Sequence, residues 1–269
     1  MKFFKNFSPF QKIFFLFFYI CSIITFFLPA FIPGGNLSSV ITIIGLIGLV
    51  CTLSGVLVSI YTAKAHIIGY IWWMINAVTT GIIGLYNDLY GQFILNIFIT
   101  LPLLIYGFIA WKKNMALNKS KDIIIRKFNL KQLIIALICS IIIWIAYGLF
   151  LTFLPQIAYN IFNIHISKDP QIILDSFTCV MTIMATYLTG KRFIEQWIFW
   201  IVFNSISIIM FIIQSIGVSI TNPSMLVADF SDILSLLQYI IGVTYGYILW
   251  RKMMKKEHEL NHCVNKTTT

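Results

Sequence analysis

Long apolar runs alternate with short polar breaks along the whole chain. Eight runs, roughly 12–32, 38–62, 66–87, 91–111, 131–153, 171–190, 193–217 and 232–250, approach the ~20 residues with which an α-helix crosses ~30 Å of hydrocarbon. The pattern predicts an all-α integral membrane protein. The first run follows Lys2, Lys5 and Lys12, as a signal peptide would. It is long for that purpose and no small-x-small cleavage site closes it, so a retained helix is expected.

Composition agrees with the pattern. The 269 residues are 59% hydrophobic and 10% charged, more apolar than a soluble domain of this size can bury. A net charge of +10 would suggest nucleic acid in a soluble protein, but its placement points elsewhere. With the N-terminus inside and eight crossings, every Lys and Arg except Lys168 falls on the cytoplasmic side. The positive-inside rule predicts that asymmetry, and both termini are then cytoplasmic. Cys21, Cys51, Cys139, Cys179 and Cys263 form no CxxC pair and read as small core residues. His258-Glu259-Leu260-Asn261-His262 matches HExxH, but in a charged tail with no third ligand, so neither a metal nor any other cofactor is expected.

The chain also resembles itself. IYGFIAWKK at 105–113 answers TYGYILWRK at 244–252, and IWWMIN at 71–76 answers FWIVFN at 199–204. The second match pairs Trp72 with Trp200 and Asn76 with Asn204. The units are three helices each, which directly joined would be inverted; the run 131–153 between them makes the repeats parallel. The predicted architecture is therefore 3+1+3, with one extra N-terminal helix. Its expected divisions are 1–35 for the extra helix, 36–113 for the first repeat, 114–155 for a basic loop and linker helix, 170–252 for the second repeat and 253–269 for a tail. Repeats of this kind are common in transporters, with the substrate near the midplane between them.

Counting from the basic ends puts Trp72 and Trp200 roughly 12 Å along their helices and Asn76 and Asn204 roughly 18 Å, too deep for interfacial aromatics. Trp and Asn four apart share one face, which Gln196 extends, with Trp197 adjacent. One such Asn could serve as glue between helices. Two matched Trp-Asn pairs favour a flat polar ligand, with an indole to stack on it and an amide to bond its edge. Asp175, Thr178, Thr182 and Thr186 form a second stripe; Gln92 with Asn96, and Gln238, are further polar positions at depth. Trp111 and Trp250, beside WKK and WRK, read as belt anchors at the interface. Asp175 and Glu195 lie toward opposite ends with no second carboxylate beside them, so no proton relay is visible and a passive facilitator fits best.

LDSFTCVMTIMATYLTGKRFIEQWIFWIVFNSISI at 174–208, LYGQFILNIFITLP at 89–102 and YGYILWRK at 245–252 resemble the PnuC vitamin transporters, over about residues 38–252. The resemblance implies a full-length SWEET-like fold, a homotrimer, and uniport of nicotinamide riboside made one-way by a cytoplasmic kinase. It places the site on Trp200, Asn204, Gln196, the Asp175–Thr182 stripe, Gln92 and Asn96. Leu104 and Gly242 stand where that family commonly has amides, which leaves thiamine or riboflavin as alternative cargo.

Overall fold

The computed structural model describes residues 6–31, 36–86, 90–117, 123–166, 168, 171–216 and 223–267, with backbone alone at 39, 210–211, 213–216, 223–232 and 257–267. Residues 217–222, and the side chains of the HELNH tail, lie outside the described residues. Among the described residues eight long helices follow one another: α1 (Pro9–Phe27), α2 (Ile43–Ala63), α3 (Ile68–Tyr86), α4 (Tyr90–Leu117), α5 (Leu130–Phe162), α6 (Ile172–Gly190), α7 (Gln196–Ile216) and α8 (Pro223–Thr267). Seven are long and apolar enough to cross a membrane, and α7 is apolar over Gln196–Ile209. Helices are what lipid demands, because hydrocarbon offers backbone N–H and C=O groups no partner. Among the described residues the sole extended pairing is one isolated bridge.

Local sequence sets the ends. Ser8 and Gln11 form a capping box ahead of Pro9 in the first turn of α1. Asn129 and Gln132 do the same for α5, which Asn163 ends in a left-handed conformation. That helix runs past the expected 153 to Phe162 and carries Pro155 inside it, at the cost of one ladder bond. In α4 the turn Leu95–Thr100 is π-helical, with Leu101 N–H reaching the Asn96 carbonyl. Pro102, just beyond, has no N–H with which to continue a regular ladder.

Six helices close a ring in the order α2, α3, α4, α6, α7, α8 and back to α2. α5 packs outside on α6, while α1 packs outside on α2 and α8. Gln11 Nε2 donates to the Tyr245 hydroxyl at 2.9 Å and Lys64 Nζ to the Asn6 carbonyl at 2.6 Å, which fixes α1 against the ring.

The turns α2–α3 and α6–α7 are built alike. Ala65 (φ 53°) and Arg192 (φ 65°) are both left-handed, and their N–H groups bond the carbonyls of Thr62 and Thr189. These counterparts stand 127 positions apart, one fewer than the Trp72–Trp200 pairing requires. Turn geometry fixes the register, so the counterpart of Trp200 is Trp73 and that of Asn204 is Ala77.

Candidate functional site

The ring encloses a cavity of about 460 Å³. Its wall takes Gly55 and Ser59 from α2, Trp73, Asn76 and Thr80 from α3, and Gln92, Asn96 and Thr100 from α4. The other half supplies Asp175, Thr178 and Thr182 from α6, Trp197, Trp200, Asn204 and Ser207 from α7, and Tyr239 and Gly242 from α8. Among the described residues Asp175 is the one charged side chain in this wall.

Two indoles face each other at the deep end. The rings of Trp73 and Trp200 lie 5.6 Å apart, tilted by 51°, and Phe203 stands edge-on to Trp200 at 5.7 Å. One turn above Trp200, Asn204 spends its Nδ2 on the Trp200 carbonyl at 2.7 Å. Its Oδ1 is buried without a hydrogen-bond partner among the described residues, as is Nε1 of Trp197. An acceptor and a donor left unpaired beside a cavity cost stability unless a guest or water satisfies them. Across the cavity, Asn76 Nδ2 donates to the Cys51 carbonyl at 2.8 Å, and Asn96 Nδ2 to the Gln92 carbonyl at 2.9 Å. The Thr178 and Thr182 hydroxyls donate back to the carbonyls of Asp175 and Thr178.

Nine of the residues singled out in the sequence therefore meet around one space: Trp200, Asn204, Trp197, Asn76, Gln92, Asn96, Asp175, Thr178 and Thr182. Four do not line it, among them Thr186, which is fully buried in the packing of α6. Trp72, one helical step of about 100° from Trp73, turns away and packs on the cluster that α1 builds with α2, including Phe14, Phe18, Val56 and Ile60. Gln196 is fully buried below the cavity, where its Oε1 accepts from the Thr189 hydroxyl. Gln238 is buried behind the wall, and its neighbour Tyr239 faces in. Among the lining residues that the sequence pattern does not single out are Trp73 and Tyr239. Counting from Lys64 and Lys191 as equivalent turn residues, rather than from matching Trp-Asn spacings, would have found the first.

Below the indoles an aromatic floor closes the ring. Trp111 and Trp250 are 1% and 0% exposed, so neither is an interfacial anchor. Each donates its indole N–H across a seam between the halves: Trp111 on α4 to the Thr189 carbonyl of α6 at 2.8 Å, and Trp250 on α8 to the Thr62 carbonyl of α2 at 3.1 Å. Satisfying that polar atom internally is what frees a Trp from the interface. Tyr70 and Trp197 stand edge-on to Trp111 and Trp250 at 5.0 and 5.7 Å. Each fills a niche left by a glycine, since a methyl on Gly107 or Gly246 would strike its ring.

A strap crosses the outside of the floor. Arg126 pairs with the α6–α7 turn through its N–H to the Arg192 carbonyl and its carbonyl to the Ile194 N–H, at 2.8 and 2.9 Å. Its guanidinium covers the Phe193 ring at 4.5 Å, and Ile123 and Ile125 are buried against the floor. Glu195 accepts from the Phe128 N–H at 2.9 Å, which explains a carboxylate at this helix start. Basic groups crowd this end. Burial, then neighbouring Arg126, lowers the Arg192 pKa, while a hydrogen bond to Tyr106 raises that of Lys191. Burial, helped by Lys64, holds His66 below its usual value.

Known proteins are similar to this chain in sequence and in fold. The nicotinamide riboside transporter PnuC of Neisseria mucosa is 25% identical over 210 residues, covering 77% of this chain and 72% of its own length. The Escherichia coli transporter of the same name is 26% identical over 177 residues, 61% of this chain and 73% of that one. A crystal structure of the vitamin B3 transporter PnuC superposes with a TM-score of 0.66 at 22% identity, covering 93% of this chain and 94% of the other. Residues 45–252 match the nicotinamide mononucleotide transporter family, and this chain, a multi-pass membrane transporter, belongs to that family.

Proposed function

We infer that the chain carries nicotinamide riboside into the cell by uniport, with its basic end in the cytoplasm. The observation that carries the reading is the pair of facing indoles, Trp73 and Trp200, beneath an unpartnered Asn204 oxygen in a closed ring. A pyridinium is a flat cation, which indole faces attract by ~0.5–2 kcal/mol. Its carboxamide N–H can satisfy Asn204. Among the described residues the wall offers a carboxylate, Asp175, and no Lys, Arg or His. A phosphate there would be desolvated without a countercharge, which favours the nucleoside over the mononucleotide. The relatives named above carry the same expectation in their names.

Release toward the basic end requires the floor to open. We take the two three-helix units, α2–α4 and α6–α8, as the parts that rock, with the Trp111 and Trp250 bonds breaking at the seams between them. Trapping by a cytoplasmic kinase makes uptake one-way without an ion gradient. The part expected of Trp72 passes to Trp73. Trimer assembly remains part of this reading, to be checked by mass in detergent. Turnover of the cargo by the purified protein would contradict the reading of a carrier and not an enzyme.

Thiamine is also an aromatic cation, and it is the cargo to discriminate against. Liposomes containing the purified chain should take up labelled nicotinamide riboside, and unlabelled riboside should compete at least tenfold better than thiamine or riboflavin. Stronger competition by thiamine would overturn the substrate assignment.

A further inference from the structure

Outside the cavity, the α6–α7 turn gathers cationic and phenolic donors at the basic end of the floor. Gly190 ends α6 close against α4, where a methyl built on it would stand 3.2 Å from the Gly107 Cα. That backbone-to-backbone approach brings the next two residues, Lys191 and Arg192, to Tyr106 on α4 and Tyr70 on α3. Lys191 Nζ stands 5.3 Å from the centre of the Tyr106 ring and 5.7 Å from that of Tyr187. These two rings lie nearly parallel, 6.4 Å apart and tilted by 9°. The strap adds Arg126, which its two backbone bonds hold against the turn. None of these residues lines the cavity.

Two of the donors are buried and unused. Tyr70 is 2% exposed, yet its hydroxyl has no hydrogen-bond partner among the described residues, and neither has Nη1 of Arg192. The charges in the cluster are alike. Arg126 acts on both Lys191 and Arg192, and Arg192 acts on Tyr70, with no carboxylate among the described neighbours that act on them. Glu195, three residues on, turns its Oε1 to the Phe128 N–H instead. Positive-inside topology explains basic residues at this end, but not why three of them converge on buried, unpaired donors. Such donors are rare and costly in folded proteins, and one anion would satisfy both.

We propose that Tyr70, Tyr106, Lys191, Arg192 and Arg126 form a binding site for a phosphate group. Its oxygens accept several N–H and O–H bonds at once, which suits guanidinium, ammonium and phenol donors. Its charge offsets three cations that otherwise repel one another, and it ties the strap to the turn. The phosphate belongs to a free phosphomonoester or to an anionic lipid headgroup, since the exposed rings of Tyr106 and Tyr187 open the cluster toward the membrane interface. The cavity's own charge is the Asp175 carboxylate, so the two sites select opposite ligands. Binding here does not depend on what the cavity carries.

The test is thermal unfolding of the purified full-length chain in detergent, titrated with sodium phosphate against sodium chloride of equal ionic strength. A second arm adds phosphatidylglycerol to the micelles, against the same amount of phosphatidylcholine. The melting temperature should rise saturably, by about 3 °C at roughly ten times the dissociation constant. A response to phosphate assigns a free phosphate, and one confined to phosphatidylglycerol a lipid headgroup. Arg192→Gln should weaken the ligand about tenfold or more, and Tyr70→Phe about three- to tenfold. Lys252→Gln, an exposed basic position on α8, should leave its affinity unchanged. Tyr70→Phe removes a hydroxyl with no partner, so it should fold as well as the parent; it decides alone should Arg192→Gln misfold. No rise over the controls in either arm, parent affinity in Tyr70→Phe, or an equal loss in Lys252→Gln overturns the proposal.

Discussion

The floor of the cavity and its middle were built from the same two halves and have diverged differently. At the floor the halves match: Thr62 with Thr189, Tyr70 with Trp197, Gly107 with Gly246, and Trp111 with Trp250. In the middle they part, with Ala77 against Asn204, Asn76 against Phe203 and Gly55 against Thr182. Matched bonds across two seams suit a motion that both halves make together. Unmatched walls suit a cargo whose two ends differ. On the proposed mechanism, symmetry is kept where the parts would move and lost where they would recognise cargo.

That contrast can be broken from either side. Asn204→Ala makes the second half resemble the first at Ala77 and removes the unpartnered acceptor. Riboside uptake into liposomes should fall tenfold or more, with the melting temperature nearly unchanged, because a buried unsatisfied oxygen is lost along with one bond. Unchanged uptake would mean that the asymmetry of the middle does not serve recognition. A smaller effect is expected at the floor. Trp111→Phe and Trp250→Phe each remove one indole–carbonyl bond, and each should lower stability by about 1 kcal/mol. The two values should agree within error, and both variants should shift transport rate without changing riboside affinity. Markedly unequal values would show that the seams are not equivalent.

Much of this was legible in the sequence, for identifiable reasons. Lipid permits few alternatives to a long apolar helix, so eight runs became eight helices, and basic residues such as Lys64, Lys191 and Arg251 marked one end. Nine polar or aromatic positions fell on one cavity, because a polar side chain deep in such a chain needs a polar surround. The errors share a cause. Trp72 matched Trp200 by spacing to an Asn, but helix phase is set by the turn at Ala65, and one residue of slip swings a side chain about 100°. Trp111 and Trp250 resembled interfacial anchors because each adjoins basic residues. Their N–H groups found carbonyls on the opposite half, a long-range contact that no local pattern encodes. Tyr239 was hidden for the same reason, since only the closure of α8 on α2 brings it to Gly55.

The facing indoles are the centre of this account, and riboside titration of three tryptophan variants tests them most directly. Trp73→Leu and Trp200→Leu should each weaken binding about thirtyfold, whereas Trp72→Leu, which points at α1, should bind as the parent does. Equal affinity across the parent and all three variants, or a loss confined to Trp72→Leu, would contradict it.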